Sequence, residues 1–502
     1  MRLRGFILCL VLGMPGLLVA APLPGSRPNV IVVLTDDQGY GDFSCHGHPV
    51  LRTPNLDRLH NEGVRFTDFH VSPTCAPTRS ALLTGRHEFR NGVTHTILER
   101  ERLAPGAVTL ADALKSAGYA TGIFGKWHLG DEAAYRPDRR GFEETFIHGG
   151  GGIGQTYPGS CGDAPGNTYF DPVILHNGAF ERTQGYCTDV FFAQSMRWMD
   201  TVKSRGPFLA WIACNAPHVP LQVRPEDEAR YAGKVANTNA ARFLGMVANI
   251  DDNVGRLLNW MHDRGLDRNT LIVLLTDNGA DGGILAGYNA GMRGKKGTAF
   301  LGGTRAASFW RWPGTLSPAD CTALTGAADV FPTVVDLAGV PGSETLRNQV
   351  EGRSLVPLLE NPKAPWPDRT LFTHVGRWTR WEEPADATYR ACAVRTPRWH
   401  LVSPDGGRTP HWMLFDVRSD PGELVDVSPA QQDVVRDLAA RYDAWWASVQ
   451  GSLVNEHVRG PAINPFKELY WQQFGGRPEL EAESKANRIS RRPHEEQRNS
   501  KE

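Results

Sequence analysis

A cysteine at a predicted helix start is the first residue in this chain that could carry out chemistry, within TCAPTRSALLTGR (residues 74–86). Pro77 suits the first turn of a helix, and Gly85 predicts its end. Cys75 therefore lies at or just before a helix N-terminus, where free N–H groups and the helix dipole favour an anion. Arg79 adds a positive charge about one turn later. These features indicate that Cys75 is an activated nucleophile or the precursor of one.

Two apolar segments end in the same acidic chemistry, VIVVLTDDQG and LIVLLTDNGA. In open α/β sheets, ligands lie beyond the carboxyl ends of the parallel strands. If both segments are central strands, three carboxylates and one amide oxygen meet there: Asp36, Asp37, Asp277 and Asn278. Such oxygen donors suit Ca²⁺ or Mg²⁺. The alternative is a solvated turn after each strand, but the glycine-rich sequence after Asn278 lacks the alternation of a hairpin.

Basic residues follow other predicted strand ends. Lys126 and His128 lie in GKWHLG, His218 lies in NAPHVPLQ, and Lys295 and Lys296 lie in MRGKKGT. Taken singly, such residues are usually structural or solvated. Their shared position after strand ends favours a common site, and a divalent cation beside lysine and histidine suits a tetrahedral oxyanion, either phosphate or sulfate.

The elements that must position these residues are apolar strands alternating with helices. We predict strands at NVIVVLT, YATGIFG, GPFLAWIAC and LIVLLT, and helices over 54–62, 110–117 and about 242–263. Fully apolar strands of this kind indicate a large, mostly parallel α/β sheet with helices on both faces.

The sequence texture changes near residue 364. Short antiparallel strands in ATYRACAVRTPRWHLVS and WMLFDVRSDPGE, followed by a helix over 431–448, predict a smaller α+β unit. The charged composition from residue 476 onward predicts disorder. We therefore predict a signal peptide over 1–21, a catalytic domain over 22–363, a C-terminal α+β subdomain over 364–475 and a charged tail over 476–502.

Composition and the N-terminus limit the class of function. A net charge of −1 over 502 residues gives no general attraction to nucleic acid. Arg2 and Arg4 precede an apolar stretch over 6–19 and two small residues, which is the pattern of a secretory signal peptide. No later run approaches the roughly 18 apolar residues of a membrane span. We expect a secreted or periplasmic protein without a membrane span after signal removal.

Seven cysteines follow the predicted leader, and an exported protein can form disulfides. With Cys75 reserved for chemistry, Cys161 and Cys187, on either side of a loop rich in glycine and proline, are the favoured pair.

Together these motifs resemble the type I, formylglycine-dependent sulfatase family, the arylsulfatase-like branch of the alkaline phosphatase superfamily. Its signature, Cys-x-Pro-x-Arg followed by three residues, an apolar residue and Thr-Gly, is matched throughout from Cys75 to Gly85. The likeness covers about residues 28–430 and includes TDDQGYGD, GKWHLG, RRGFEETF, PHVPLQ, TDNG, RGKKG and, weakly, LFDVRSDPGE. The resemblance implies an alkaline-phosphatase-like fold and hydrolysis of sulfate esters.

The resemblance also implies the cofactors and the roles of residues. A separate maturation enzyme would oxidise Cys75 to Cα-formylglycine, whose hydrate attacks sulfur with one hydroxyl and later expels sulfate through the other. The cation, usually Ca²⁺, would be held by position 75 together with Asp36, Asp37, Asp277 and Asn278. Arg79 and Lys126 would hold the hydrate.

Three further residues take part in the implied reaction. His128 would be the base that collapses the sulfated hydrate, and His218 and Lys296 would bind sulfate oxygens and assist the leaving alcohol. Asp277 is a further candidate to accept the first proton. The substrate implied is a sulfated carbohydrate, with small aryl sulfates as surrogates.

One stretch departs from the family pattern. Leu301 stands where many relatives carry the glutamate of Glu-Gly-Gly-x-Arg, which puts the packing of that loop in doubt. Four aromatic residues could form a sugar-stacking wall or could equally be core residues: Trp127, Tyr157, Tyr169 and Trp211.

Three alternatives to this function remain. The same scaffold could hydrolyse phosphate or phosphonate esters, or a degenerate site could bind carbohydrate without turnover. Cys75 could also act as an unmodified thiolate, because the helix N-terminus and Arg79 favour ionisation.

Overall fold

The computed structural model describes residues 23–157, 159–281 and 288–476. The predicted signal peptide and all but the first residue of the predicted tail lie outside these ranges. The strands are β1 (Asn29–Thr35), β2 (Val64–Phe66), β3 (Phe69–His70), β4 (Ala120–Lys126), β5 (Glu144–His148), β6 (Val173–His176), β7 (Ala179–Arg182), β8 (Phe208–Ala213), β9 (Thr270–Thr276), β10 (Ser308–Arg311), β11 (Ala319–Cys321), β12 (Thr325–Gly326), β13 (Leu371–His374), β14 (Cys392–Arg395), β15 (Trp399–Ser403) and β16 (Met413–Asp416).

Helices connect and cover these strands. They are α1 (Pro54–Asn61), α2 (Cys75–Thr84), α3 (Leu110–Ser116), α4 (Cys187–Val202), α5 (Pro225–Ala229), α6 (Thr238–Asp263), α7 (Leu301–Thr304), α8 (Val330–Ala338), α9 (Glu344–Gln349), α10 (Val356–Glu360), α11 (Gln432–Val449) and α12 (Pro465–Phe474). The chain between them also forms short 3₁₀ turns. Among the described helices, none has the length and apolar character needed to cross a membrane.

A ten-stranded sheet runs through the described residues in the order β11-β2-β10-β9-β1-β8-β4-β5-β6-β7. Its centre, from β9 through β1, β8 and β4 to β5, is parallel, and β10 and β6 flank that centre in antiparallel orientation. The predicted α/β class is therefore confirmed. The central strands are apolar along their whole length because both faces of the sheet are covered.

The residues of β1 show how the two faces are used. Val30, Val32 and Leu34 pack into one core with residues of α2, α3 and α8. Ile31 and Val33 point to the opposite face and pack with residues of α1, α4 and α6. Successive side chains of a strand alternate between faces, so one short segment anchors both helical layers.

The predicted helices form, with one boundary moved. The helix expected over 242–263 begins earlier, at Thr238, because the Asn237 side chain caps it by accepting a hydrogen bond from Ala240 N at 2.9 Å. The α3 helix begins at its predicted cap, since Thr109 and Asp112 form a reciprocal capping box.

A separate four-stranded antiparallel sheet, β13-β14-β15-β16, forms in the C-terminal region. Tyr442, Trp445 and Trp446 of α11 pack into one core with Val394 and Leu401 of this sheet. The boundary near residue 364 stays a prediction.

The predicted Cys161–Cys187 disulfide is wrong. The seven cysteines within the described residues are all free thiols. Cys187 is the first residue of α4 and packs with Phe191 on one face of the large sheet, with its Sγ 4.0 Å from Thr188 Oγ1. Cys161 is buried in the loop after β5, near the carboxyl groups of Glu101 and Asp131.

Candidate active site

Strand register brings the acidic residues of β1 and β9 to one edge of the sheet. Thr35 is paired with Thr276, so the residues that follow them emerge side by side. Asp37 N donates to Asp277 Oδ1 at 3.2 Å, and Asn278 Nδ2 donates to Asp37 Oδ1 at 2.8 Å. These residues and Asp36 are buried. The structure thus brings together the four oxygen-bearing residues that the sequence singled out.

Cys75 completes this group, which we call the strand-end cluster: Asp36, Asp37, Cys75, Asp277 and Asn278. Its Sγ lies together with carboxylate oxygens of Asp36 and Asp277, all within 4.8 Å of one another. Cys75 is the first residue of α2, and Gly85 ends that helix with a left-handed φ of 71°. The cysteine therefore lies at a helix N-terminus, as predicted.

Each carboxylate of the cluster is paired with a basic side chain. Lys126 Nζ lies 2.6 Å from Asp36 Oδ2, and Arg79 Nη2 lies 2.9 Å from Asp277 Oδ2. On the third carboxylate, Lys296 Nζ lies 2.6 Å from Asp37 Oδ1. Buried charges are tolerated when they are paired in this way.

The pKa values show that the pairing is uneven. Burial opposes ionisation of Asp37, but the Lys296 ammonium, His218 and the Asn278 amide hold its pKa below the ordinary range. Burial and the neighbouring Asp36 carboxylate raise the pKa of Asp277 to about 7, although Arg79 and Lys126 oppose the rise. Asp37 is therefore easier to ionise than Asp277.

Hydrogen bonds to backbone carbonyl oxygens orient the two histidine rings. His128 Nε2 lies 2.7 Å from the Thr96 carbonyl oxygen and donates to it, whereas its Nδ1 has no partner within the described parts of the chain. His218 Nδ1 donates to the Val219 carbonyl at 2.6 Å, and His218 Nε2 lies 3.7 Å from Asp37 Oδ2. Burial, reinforced by nearby lysines, lowers the pKa of His128 well below 6.5 and that of His218 to about 3.

The donor set fits a hard divalent cation. Asp36 Oδ1 and Asn278 Oδ1 are buried and accept no hydrogen bond from the described residues. Buried polar atoms are normally satisfied, so two orphaned oxygens in one acidic cluster are accounted for if a cation binds there. Oxygen ligands favour Ca²⁺ or Mg²⁺ over softer metals.

Other sequence expectations are corrected by the structure. Trp127, Trp211 and Tyr169 have at most 1% of their surface exposed and are core residues, so they cannot form the suggested stacking wall. Tyr157 is half-buried. Lys295 is exposed, which leaves Lys296 as the lysine of this loop that reaches the cluster.

The loop around Leu301 is hydrogen-bonded to the C-terminal region. The N–H of Leu301 donates to Glu423 Oε2 at 2.7 Å, and His400 Nδ1 lies 2.5 Å from Glu423 Oε1. Glu423 is fully buried. A carboxylate from the C-terminal region therefore contacts the start of α7.

Sequence reasoning missed two polar residues near the same edge. His148, at the end of β5, is paired with Lys126 in the strand register, and Asn215 lies just beyond β8. Both residues are fully buried. Among the described residues, no group lies in hydrogen-bonding geometry with either side chain. Their position after strand ends was the signal that could have identified them.

Sequence comparison matches this chain to two family models and to curated relatives. Residues 28–340 match the sulfatase family model, and residues 302–445 match the model described as N-sulphoglucosamine sulphohydrolase, C-terminal. Arylsulfatase A of Bos taurus is 30% identical over 480 residues, covering 85% of this chain and 90% of that protein. N-acetylgalactosamine-6-sulfatase of Mus musculus is 30% identical over 501 residues, covering 89% and 90%.

Two solved structures share the fold of this chain. The crystal structure of Ps i-CgsB in complex with k-i-k-neocarrahexaose has a TM-score of 0.74 and 26% identity, covering 91% of this chain and 99% of that one. The phosphonate monoester hydrolase of Agrobacterium radiobacter shares the fold, with a TM-score of 0.57 and 20% identity over 86% of this chain and 96% of that one.

Proposed function

The chain belongs to the sulfatase family and is a sulfuric ester hydrolase; we propose that it removes sulfate from sulfated carbohydrates, using a formylglycine made from Cys75 and a divalent cation. The observation that carries the proposal is the position of Cys75 Sγ beside the Asp36 and Asp277 carboxylates at the start of α2. The motif that a maturation enzyme would recognise, Cys75 to Arg79, is present in full.

The formylglycine and the cation would have simple chemical roles. A hydrated aldehyde at position 75 supplies the hydroxyl nucleophile, and Ca²⁺ or Mg²⁺ supplies positive charge that polarises a sulfate ester. The residues that would hold the cation are the strand-end cluster. Asp36 Oδ1 and Asn278 Oδ1 support this assignment because they are buried without other partners among the described residues.

Three residues would orient the nucleophile and move its protons. Arg79 is held by Asp277 and by the Lys126 carbonyl, and Lys126 is held by Asp36, so both cations are fixed beside position 75. His128 donates through Nε2 to Thr96, which leaves Nδ1 as the nitrogen that can accept a proton. His128 is accordingly proposed as the base.

Two residues would bind the sulfate group. Lys296 Nζ lies at Asp37, and Gly297 N donates to the Pro73 carbonyl at 2.9 Å, which ties the lysine loop to the segment before Cys75. His218 Nε2 lies 3.7 Å from Asp37 Oδ2. We propose that both groups contact sulfate oxygens and assist departure of the leaving alcohol.

The carbohydrate substrate is supported by what relatives are named for. One acts on N-acetylgalactosamine 6-sulfate by its name, and one related structure contains a neocarrahexaose. The proposal also includes export after cleavage of residues 1–21, to the periplasm or outside the cell, and the domain boundaries given above.

A direct test compares sulfate and phosphate monoesters of the same phenol, because the fold is shared with a phosphonate hydrolase. We expect kcat/KM to be higher for the sulfate ester, and a panel of defined sulfated saccharides should then identify the natural sugar. The matched control is Cys75→Ala, which should lose both activities. Faster hydrolysis of the phosphate ester by mature protein would contradict the proposal.

A further inference from the structure

A second group of metal-ligating side chains lies outside the strand-end cluster. Cys45, His46 and His60 place one sulfur and two imidazole nitrogens within 4.8 Å of one another. All three residues are partly exposed. We call this group the thiol–imidazole cluster. The proposed hydrolysis uses none of its members.

The backbone that carries the cluster is tied together by one carboxylate. Cys45 and His46 lie in the 3₁₀ turn Ser44–His46, and His60 lies on α1. Asp57 of α1 accepts hydrogen bonds from Cys45 N at 3.0 Å and from Ser44 Oγ at 2.6 Å. The turn is thus fixed against the helix that supplies the third group.

The imidazoles are oriented by their second nitrogens. His46 Nδ1 lies 2.6 Å from the Tyr40 carbonyl oxygen, and His60 Nδ1 lies 2.8 Å from Asn61 Oδ1. Both partners are acceptors, so each Nδ1 donates to its partner, and Nε2 is the ring nitrogen left to bind a metal. Metal-binding histidines commonly show this arrangement, in which an outer oxygen fixes the tautomer.

Aromatic neighbours hold the rings in place. The His46 ring stacks on Tyr40 with centroids 4.0 Å apart, and Phe309 meets His46 and His60 edge-on at 5.5 and 5.2 Å. Burial lowers the pKa of His46 to about 4, so its imidazole is neutral at pH 7. A neutral imidazole is the form that binds metal.

We propose that Cys45, His46 and His60 bind a Zn²⁺ ion, separate from the cation of the strand-end cluster. One thiolate and two imidazoles suit zinc, whereas calcium and magnesium prefer oxygen. Binding breaks the S–H bond of Cys45, forms a sulfur–zinc bond and releases the proton to solvent. With three protein ligands, the fourth tetrahedral position is left for water or a small ligand.

Titration of the full mature chain with Co²⁺, a spectroscopic substitute for zinc, tests the site. We expect a thiolate-to-cobalt charge-transfer band that Zn²⁺ displaces at one equivalent. Cys45→Ser and His60→Ala should each lose the band, and Cys75→Ser should keep it. The absence of a band in the unmutated chain, or its survival in Cys45→Ser, would overturn the proposal, as would its loss in Cys75→Ser.

A second measurement avoids any dependence on variants that fold poorly. Alkylation of Cys45 in the unmutated chain, followed by peptide mass spectrometry, should be slowed at least about tenfold by saturating Zn²⁺, since a metal-bound thiolate is shielded from the reagent. Saturating Ca²⁺ serves as the control and should leave the rate unchanged. Alkylation that proceeds equally fast with and without Zn²⁺ would contradict the assignment.

Discussion

The strand-end cluster and the thiol–imidazole cluster differ in how they handle charge. The first gathers three buried carboxylates against Arg79, Lys126 and Lys296. The second contains two imidazoles and a thiol, and the outer partners of the imidazoles are a carbonyl oxygen and an amide oxygen. A site that must bind an anionic ester needs fixed charges of both signs, whereas a site that only holds a soft metal needs oriented lone pairs.

The largest expected effect comes from changing a carboxylate of the first cluster. Asp36→Asn replaces a charged oxygen by an amide beside Lys126 Nζ, 2.6 Å away. We expect kcat/KM to fall about 10³-fold or more, because a bound cation contributes several kcal/mol to transition-state charge. Steady-state kinetics with an aryl sulfate, together with elemental analysis for calcium and magnesium, would measure the effect.

The matched control for this variant is Asp433→Asn, in which an exposed aspartate on α11 undergoes the same chemical change. It should retain full activity and metal content. An inactive Asp36→Asn protein that still binds its full complement of cation would show that Asp36 is not a ligand.

A smaller effect is expected from removing one of the basic side chains that pair with the cluster. Lys126→Met keeps an unbranched apolar side chain of similar size but leaves the buried Asp36 carboxylate without its partner. We expect a loss of about 10–100-fold in cation affinity or activity, the range typical of groups that orient metal ligands. Measuring activity against added Ca²⁺ would distinguish a loss of metal affinity from a loss of catalytic rate. Excess Ca²⁺ should restore activity only if the variant binds the metal more weakly. Unchanged activity and unchanged calcium dependence would remove Lys126 from the site.

The parts of the site that sequence could predict are those set by strand ends. Asp36 and Asp277 each follow an apolar segment long enough to be a central strand, and the carboxyl edge of a parallel sheet then brings them together. Helix α2 was predictable because Pro77 and Gly85 mark its first turn and its end. These features depend on local residue patterns and one general rule of topology.

The parts that sequence could not predict depend on packing between distant segments. Trp211 and Tyr169 are buried because helices cover the sheet. Their aromatic side chains alone could not show whether they are core residues or residues that stack on a sugar. The contact between Leu301 and Glu423 joins residues that no local pattern relates. The thiol–imidazole cluster likewise depends on a contact between distant segments. Asp57 of α1 accepts a hydrogen bond from Cys45 N and so fixes the Ser44–His46 turn against the helix.

The central claim is that the active enzyme carries a converted residue at position 75, and peptide mass spectrometry of active, mature protein tests it most directly. Trypsin should release residues 66–79 as one peptide, since Arg65 and Arg79 bound it. The account predicts a peptide lighter than the cysteine form by the loss of H₂S and the gain of one oxygen, and labelled by an aldehyde-reactive probe. An unmodified Cys75 thiol in fully active protein would contradict it.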